Sequence, residues 1–372
     1  MSVFQNRRER IYDWMAGEGI ALVMLEDTEG RRDPGIRWLT GQPGDALLFL
    51  TADKQSLLVP WDINLAKLYA NADIMIPYGE FERNPITAIK TTADYCKVPL
   101  QSRIEIPSDM PYTIFLKYVE ALSDFDVLCR DEGIKKMIQE QRAVKDDEEI
   151  RIYRRAAAIT NELIDLLEEQ IRGEKLRTET DVALFIEAEG RRRDCEGTGF
   201  ETLAASPARS FGIHAFPAYT GAPFIGPGLS ILDFGLNYSG YTTDVTLTFA
   251  LGPLSAAQEK RLSLVEKAYK LALSLAGSGA GARDIAAAVD GFFGKSRKVM
   301  PHALGHGIGL EAHEAPALRN RADNDTLLVP GMIFTLEPGL YDPVQGGCRL
   351  ENDVLITDTG VEVLTTARII RL

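Results

Sequence analysis

The first part of the chain alternates between apolar spacing typical of helices and short apolar runs typical of strands. The pattern predicts helices at 4–17, 65–72, 85–96 and 111–122, and strands at 20–25, 46–50, 56–59 and 103–106. Alternating elements of this kind are typical of a layered α/β domain. We therefore predict a smaller α/β domain over residues 1–138. It contains no histidine, and its acidic residues lack metal-ligand spacing, so we expect a structural or substrate-capping role.

A charged stretch at 139–150 marks a change of pattern, and we place a second domain at 139–372. Helix-start signals predict a long helix from Asp146 to about residue 171 and a shorter one opened by Thr178. Ser255 opens a second long helix to about residue 276, followed by a shorter helix at 282–293. Two long–short helix pairs, each followed by strand-like segments, suggest an internal pseudo-duplication.

The segment between these helix pairs, ILDFGLNYSGYTTDVTLTFA at 231–250, reads as a hairpin with an aspartate inside each strand. A turn at 237–240 would pair Leu236 with Tyr241 and place Asp233 directly opposite Asp244. Like charges at opposed positions are destabilising, so the two carboxylates would have to share a proton or a cation. The alternative is a register one residue different, with one aspartate on the surface.

Composition narrows the classes of function. A length of 372 residues favours two domains, and a net charge of −13 argues against a nucleic-acid partner. No apolar run is long enough to span a membrane, and the first residues lack the apolar core of a secretion signal, so we predict a cytoplasmic location. Four cysteines without a CxxC pair are expected to be free thiols, with Cys348 in a packing role.

The histidines are concentrated around the hairpin: His214, His302, His306 and His313. The glycines at 305, 307 and 309 flank His306 and would let the backbone and one imidazole approach another group closely. A glycine-rich phosphate cradle is the weaker interpretation, because neither GxGxxG after a strand nor GK[ST] occurs. For His302 we expect a surface or core position.

Two further acids, Glu337 and Glu351, lie in apolar strand-like segments, and alternation places Arg349 on the same face as Glu351. A buried unpaired carboxylate is costly. For any one acid, a salt bridge to an arginine would suffice, but four acids and His306 in one domain favour a shared metal centre. Such an oxygen-rich set suits Mn²⁺ or Co²⁺, with Zn²⁺ as a further candidate, and five ligands suit two bridged ions.

The motifs LDFG, GYTTDVT, GHGIGLEAHE, EPGLY and RLEND, in this order, resemble the metal-dependent pita-bread peptidases. This family includes Xaa-Pro dipeptidase (prolidase), Xaa-Pro aminopeptidase and methionine aminopeptidase. The resemblance extends from about residue 144 to the C-terminus. The first part, for instance IRWLTGQPGDALLFL, is similar to the creatinase/prolidase N-terminal domain, which methionine aminopeptidases lack.

The resemblance implies an α+β protein whose C-terminal domain has pseudo-twofold helix pairs around a curved antiparallel sheet. It implies ligands for two divalent ions at Asp233, Asp244, His306, Glu337 and Glu351, with Asp244 and Glu351 bridging. Catalytic roles are implied for His214, His313, Glu337 and Arg349, and substrate binding for His214, His313 and Arg349. In the family, the glutamate at 337 is the candidate proton shuttle, and the histidine at 313 stabilises the tetrahedral intermediate. A homodimer is also implied.

The chain departs from the family in two places. Leu247, between Thr246 and Thr248, replaces an arginine, and His214 precedes Asp233 by nineteen residues, slightly more than usual. Tyr219 and Phe224, on that longer segment, are candidates for the substrate pocket or for packing.

The leading hypothesis is a dinuclear metallopeptidase that cleaves dipeptides with proline in the second position. The first alternative is an Xaa-Pro aminopeptidase acting on longer peptides. Metal-free creatinase-like C–N hydrolysis and a non-catalytic binding protein rank lower, because all five ligands are present.

Overall fold

The computed structural model describes residues 2–372. The chain divides into two compact units, one ending at Gln141 and the other running Arg142–Leu372, whereas the sequence pattern placed the change at 138/139. Within the described residues, no helix combines the length and the apolarity needed to cross a membrane.

The first unit is built around a six-stranded mixed sheet in the order β4-β3-β2-β1-β5-β6. Its strands β1–β6 are Ile20–Asp27, Ala46–Thr51, Ser56–Pro60, Ile74–Met75, Arg103–Glu105 and Asp126–Leu128. The helices α1–α6 are Val3–Glu18, Pro34–Thr40, Ile63–Tyr69, Pro85–Tyr95, Tyr112–Ala121 and Ile134–Ala143, with a 3₁₀ turn at Tyr78–Phe81. The predicted helices and strands of this part are confirmed. The elements not predicted are α2, α6, β4 and β6, three of which have no more than seven residues.

The second unit has two helix pairs, and these confirm the predicted helices. Helices α7–α10 are Asp147–Arg172, Glu179–Arg192, Ala256–Leu275 and Ala282–Lys295. Capping boxes begin the first three, with Asp146, Thr178 and Ser255 as the N-cap residues. In each box, the side chain of the N-cap residue accepts from the backbone N–H three residues later, and the side chain at that position accepts from the N-cap backbone N–H. Because both partners are local, these helix starts can be recognised in the sequence.

Two larger sheets, of four and five strands, and two smaller ones lie in this unit. The strands β7–β20 are Gly197–Thr198, Leu203–Ala205, Gly228–Phe234, Leu236–Tyr238, Tyr241–Thr242, Val245–Leu251, Gly305–Gly307, Glu314–Leu318, Ile333–Leu336, Gly339–Leu340, Cys348–Arg349, Asn352–Thr357, Gly360–Val363 and Ile369–Arg371. One of the larger sheets has the order β20-β12-β9-β8 and the other β14-β13-β15-β18-β19. All pairs in both are antiparallel except β12 with β20. An antiparallel bridge between Thr246 and Glu351 joins the two sheets, and the helices cover their apolar faces in one large core. The α+β class is confirmed.

The predicted register of the hairpin was wrong by two residues. Tyr238 pairs with Tyr241, so the turn contains Ser239 and Gly240 alone. Both have positive φ, 51° and 88°, as in the two-residue turns that match the twist of a hairpin. Asp233 consequently lies opposite Thr246, and Asp244 is its diagonal neighbour on the same face of the hairpin.

Candidate metal centre

The five predicted ligands border a single cavity of about 700 Å³ in the second unit. They lie at or near the ends of different strands, where the two sheets meet: Asp233 in β9, Asp244 before β12, His306 in β13, Glu337 after β15 and Glu351 before β18. Distant parts of the chain thus deliver four carboxylates and one imidazole to one place.

Three of these groups are close enough to hold one ion. Ligand atoms of Asp244, His306 and Glu351 lie within 4.8 Å of one another. His306 Nε2 is 3.7 Å from Asp244 Oδ2 and 3.6 Å from Glu337 Oε1. The Asp244 backbone, at a break in the ladder before β12, donates to Asp353 Oδ2 at 3.1 Å.

The chemistry of the donor set fits divalent cations. Asp233 and Asp244 each have a buried Oδ1 without a hydrogen-bond partner, a costly condition that a cation would relieve. Burial and the charges of Glu351 and Asp233 raise the pKa of Asp244 well above its ordinary value. Burial and neighbouring carboxylates also raise the pKa of Glu337, and that of Glu351 to about 7. This crowding stores electrostatic energy that bound cations would release.

Arg349 offsets one of the carboxylate charges. Its guanidinium forms an ion pair with Asp233 and donates to Thr246 Oγ1 at 2.8 Å and Tyr341 Oη at 2.8 Å. Burial opposes its charge, but Tyr341 and the carboxylates raise the pKa of Arg349 above its ordinary value. Arg349 therefore fixes one oxygen of Asp233 and leaves the other for a ligand.

His306 has the tautomer required of a metal ligand. Its Nδ1 lies 3.2 Å from the carbonyl oxygen of Gly307, which can only accept, so the proton is on Nδ1 and the Nε2 lone pair is free. Burial and the neighbouring His313 lower the pKa of His306 to about 4, so the ring is neutral at pH 7. The rings of His306 and His313 are 4.2 Å apart.

The glycines around His306 permit the close approach predicted for them. A Cβ at Gly305 would lie 1.9 Å from the carbonyl oxygen of Thr335, and one at Gly307 would lie 2.0 Å from that of Ala315. Any side chain at either position would push β13 away from its neighbouring strands.

The two departures from the family pattern have different structural consequences. Leu247 is fully buried in the core, whereas Thr246 and Thr248 bond Glu351 and the Arg349 carbonyl, so the leucine does not contact the site. His214 lines the cavity on a loop. Phe224 packs edge-on against Phe249 at 5.4 Å.

Phe224 thus has a packing role, and Tyr219 also packs against the core. On the loop that carries His214, the aromatic side chain that borders the cavity is Phe216, which is 96% exposed.

His302 is a largely buried histidine with partners on both ring nitrogens, as expected of a satisfied core residue, and it also lines the cavity. Its Nε2 is 3.0 Å from Tyr341 Oη, and its Nδ1 is 2.8 Å from the carbonyl oxygen of Ala303 and 3.7 Å from Glu337 Oε2. Burial lowers the pKa of His302 to about 4. Sequence reasoning missed Tyr341, which ends the EPGLY motif and connects His302 to Arg349.

A carboxylate that the sequence analysis did not identify supports the segment that carries His313. Glu314 is ion-paired with Arg142, lies 3.4 Å from Lys145 Nζ and accepts from the Glu311 backbone at 2.9 Å. Its carboxylate also comes within 2.8 Å of the position of a Cβ at Gly309. These contacts close the turn at 309–314.

Comparison with known proteins places this geometry in a family. The model of metallopeptidase family M24 matches residues 151–358, and that of the creatinase/prolidase N-terminal domain matches residues 7–144. An Xaa-Pro dipeptidase of Pyrococcus furiosus is 33% identical over 257 residues, 68% of this chain and 72% of that protein. An Xaa-Pro dipeptidase of Pyrococcus horikoshii is 27% identical over 98% of both chains. The crystal structure of X-Pro aminopeptidase from Thermotoga maritima superposes with a TM-score of 0.84 at 26% identity, covering 98% of this chain and 99% of the other. The chain belongs to metallopeptidase family M24.

Proposed function

We propose that this metallopeptidase hydrolyses the Xaa–Pro bond of dipeptides at a centre of two divalent ions. The observation that carries the proposal is the convergence of four carboxylates and a neutral imidazole on one cavity, with two buried oxygens lacking partners. The relatives named Xaa-Pro dipeptidase support the choice of substrate.

The proposed ligands divide between the two ions. Asp233 would hold the first ion, His306 and Glu337 the second, while Asp244 and Glu351 would bind both. The oxygen-rich donor set favours Mn²⁺ or Co²⁺, with Zn²⁺ as a further candidate. Two ions of this kind supply a water of lowered pKa and polarise the scissile carbonyl.

The side chains around the ions do the remaining chemistry. Glu337 would take a proton from the attacking water at a carboxylate oxygen and pass it to the leaving proline nitrogen. His214 and His313 line the cavity and donate hydrogen bonds to the substrate and to the oxyanion. Arg349 holds Asp233 in place for its ion.

The test is proline release from Ala-Pro and Met-Pro, beside cleavage of Ala-Pro-Ala, by chelator-stripped protein with and without added Mn²⁺. Ala-Ala serves as the control for the need for proline. We expect Mn²⁺-dependent cleavage of the Xaa-Pro dipeptides. Cleavage of the tripeptide as well would favour an aminopeptidase, in keeping with the name of the Thermotoga relative, and inactivity on all Xaa-Pro peptides would refute the proposal.

The metal and the assembly are tested separately. Elemental analysis should find two ions per chain, and activity restored by Mn²⁺ or Co²⁺ more than by Zn²⁺ would support the proposed metals. The homodimer rests on the family resemblance, and sedimentation analysis measures it directly.

A further inference from the structure

One wall of the cavity is a loop that belongs to no strand. We call residues 206–220 the His214 loop; it lies between β8 and β9 and has no regular secondary structure. Four consecutive residues, Ile213 to Phe216, border the cavity. Backbone hydrogen bonds from Ala204 to Ala218 and from Thr180 to Thr220, each 3.0 Å long, reach the second half of the loop, and side-chain anchors add to them.

Glu179, in the first turn of α8, binds both ends of the His214 loop. One carboxylate oxygen accepts from the Ser206 backbone at 2.8 Å. The other accepts from the Thr220 backbone at 2.7 Å and from Thr220 Oγ1 at 2.6 Å. It also forms an ion pair with Arg209, whose second nitrogen donates to the carbonyl oxygen of Pro217.

These contacts do not serve the helix on which Glu179 lies. The capping box of α8 is made by Thr178 and Asp181, whereas the carboxylate of Glu179 bonds Ser206, Arg209 and Thr220 of the loop. The Glu179 side chain is fully buried. Burial works to raise its pKa, but hydrogen bonds from Thr220 and Ser206 and the charge of Arg209 lower it below the ordinary value, so the anchor is an ionised carboxylate at neutral pH.

The middle of the loop is held from the side of the metal centre. Arg349 Nη1 donates to the carbonyl oxygen of Ile213 at 3.0 Å, and the Gly347 backbone donates to Ser210 Oγ at 3.0 Å. Arg349 also pairs with Asp233. The residue next to Ile213 is His214, so the loop is fixed at its ends by Glu179 and at its middle by the arginine of the metal centre.

We propose that Glu179 is a positioning residue, which places His214 and the loop wall for substrate binding without contacting substrate or metal. The proposal rests on the proposed function, because it assigns this wall to the peptide.

The test is Glu179→Gln, which keeps the size of the side chain, removes its charge and turns an NH₂ group toward at least one backbone donor. Glu189→Gln is the matched control, because Glu189 lies on the same helix and pairs with Arg192 and Arg193 away from the loop. Three quantities are measured: hydrogen–deuterium exchange of residues 206–220, metal content, and kcat and KM for Ala-Pro.

We expect Glu179→Gln to speed exchange in the loop and raise KM, each by about tenfold, as for the loss of one hydrogen bond to a charged group. The metal content should equal that of the wild type, and kcat should change less than KM. Glu189→Gln should leave all three quantities unchanged.

Loop exchange at the wild-type rate would overturn the proposal, and so would faster exchange with an unchanged KM. If Glu179→Gln does not fold, Arg209→Met removes the loop residue of the ion pair instead, and the same changes in loop exchange and KM are expected of it. A wild-type protein inactive on Xaa-Pro peptides would refute the proposed function, while the exchange comparison would still report on the anchor.

Discussion

Replacing Asp244 with asparagine should stabilise the metal-free protein and reduce the stabilisation that metal binding provides. Asp244→Asn keeps the shape of the side chain and removes a charge that Glu351, Asp233 and Asp353 all oppose. The metal-free variant should therefore be more stable than the metal-free wild type. With metal, the variant lacks a ligand and should gain less from binding.

The magnitude follows from the distance between the carboxylates. The ligand atoms of Asp244 and Glu351 lie within 4.8 Å, where two unit charges repel by about 3 kcal/mol at an effective dielectric constant of about 20. Protonation relieves part of this at neutral pH, because the pKa of Glu351 is raised to about 7. At pH 8 we expect a gain of about 1–3 kcal/mol, or about 3–10 °C in Tm for a unit of this size.

The assay is calorimetry of chelator-stripped protein at pH 8, repeated with increasing Mn²⁺, with metal content and Ala-Pro hydrolysis measured on the same samples. Binding stabilises in proportion to the logarithm of ligand over Kd, so the wild type should gain more from Mn²⁺. The variant should lose at least one ion and nearly all activity.

Glu314→Gln is the control of opposite sign. Its carboxylate pairs with Arg142 and Lys145, so removing its charge should destabilise the protein with or without metal. The reasoning would be refuted if metal-free Asp244→Asn were less stable than the metal-free wild type. It would also be refuted if the variant, given Mn²⁺, bound both ions and kept full activity.

Three further outcomes are expected. Burial and the charge of Asp233 raise the pKa of Glu351 from 4.5 to about 7, so folded metal-free protein keeps a proton that the unfolded chain releases. The free energy of unfolding of the metal-free wild type, minus that of Glu351→Gln, should therefore fall as the pH rises from 4.5 to 7, by at most about 1.4 kcal/mol per pH unit. Both are measured by urea unfolding, and a difference that rises with pH would contradict this. Leu247→Ala should lower the free energy of unfolding by about 2–5 kcal/mol in the same assay, with unchanged metal content. Loss of metal would show that Leu247 contributes to the site. Tyr341→Phe, which removes the hydroxyl that accepts from Arg349, should lower kcat/KM about tenfold with both ions retained, and unchanged kinetics would deny the hydroxyl a role.

The sequence predicted the long helices because their start signals are local. Asp146, Thr178 and Ser255 each satisfy amide groups within three residues, and this chemistry is visible in the sequence. The two-residue strand β4 contains too few residues for a periodic pattern to be visible.

The hairpin shows why a partly wrong register still led to the metal centre. The error was two residues, and the side-chain period of a strand is also two, so both aspartates stayed on the predicted face. An error of one residue would have put Asp233 on the opposite face. Which residues form the turn depended on the backbone angles of Ser239 and Gly240, and sequence alone does not fix these.

The residues that were missed act through contacts between remote segments. Glu179 bonds Thr220, 41 residues away, and Arg142 bonds Glu314, 172 residues away. No local pattern identifies a carboxylate whose partners are that distant. The candidate ligands were recognisable because an acid inside an apolar strand is unusual by itself.

The bridge between Thr246 and Glu351, which joins the two sheets, has a consequence for how the enzyme matures. Asp233 and Asp244 come from one sheet, and His306 and Glu351 from the other or its margin, so neither half of the domain contains a complete set of ligands. Tight metal uptake therefore has to follow the docking of the halves during refolding, and the rate at which ions are captured reports the final assembly step. If the chain were divided in the turn between α9 and α10, the two fragments should accordingly associate more tightly when Mn²⁺ is present, because the ions would be bound by ligands from both fragments.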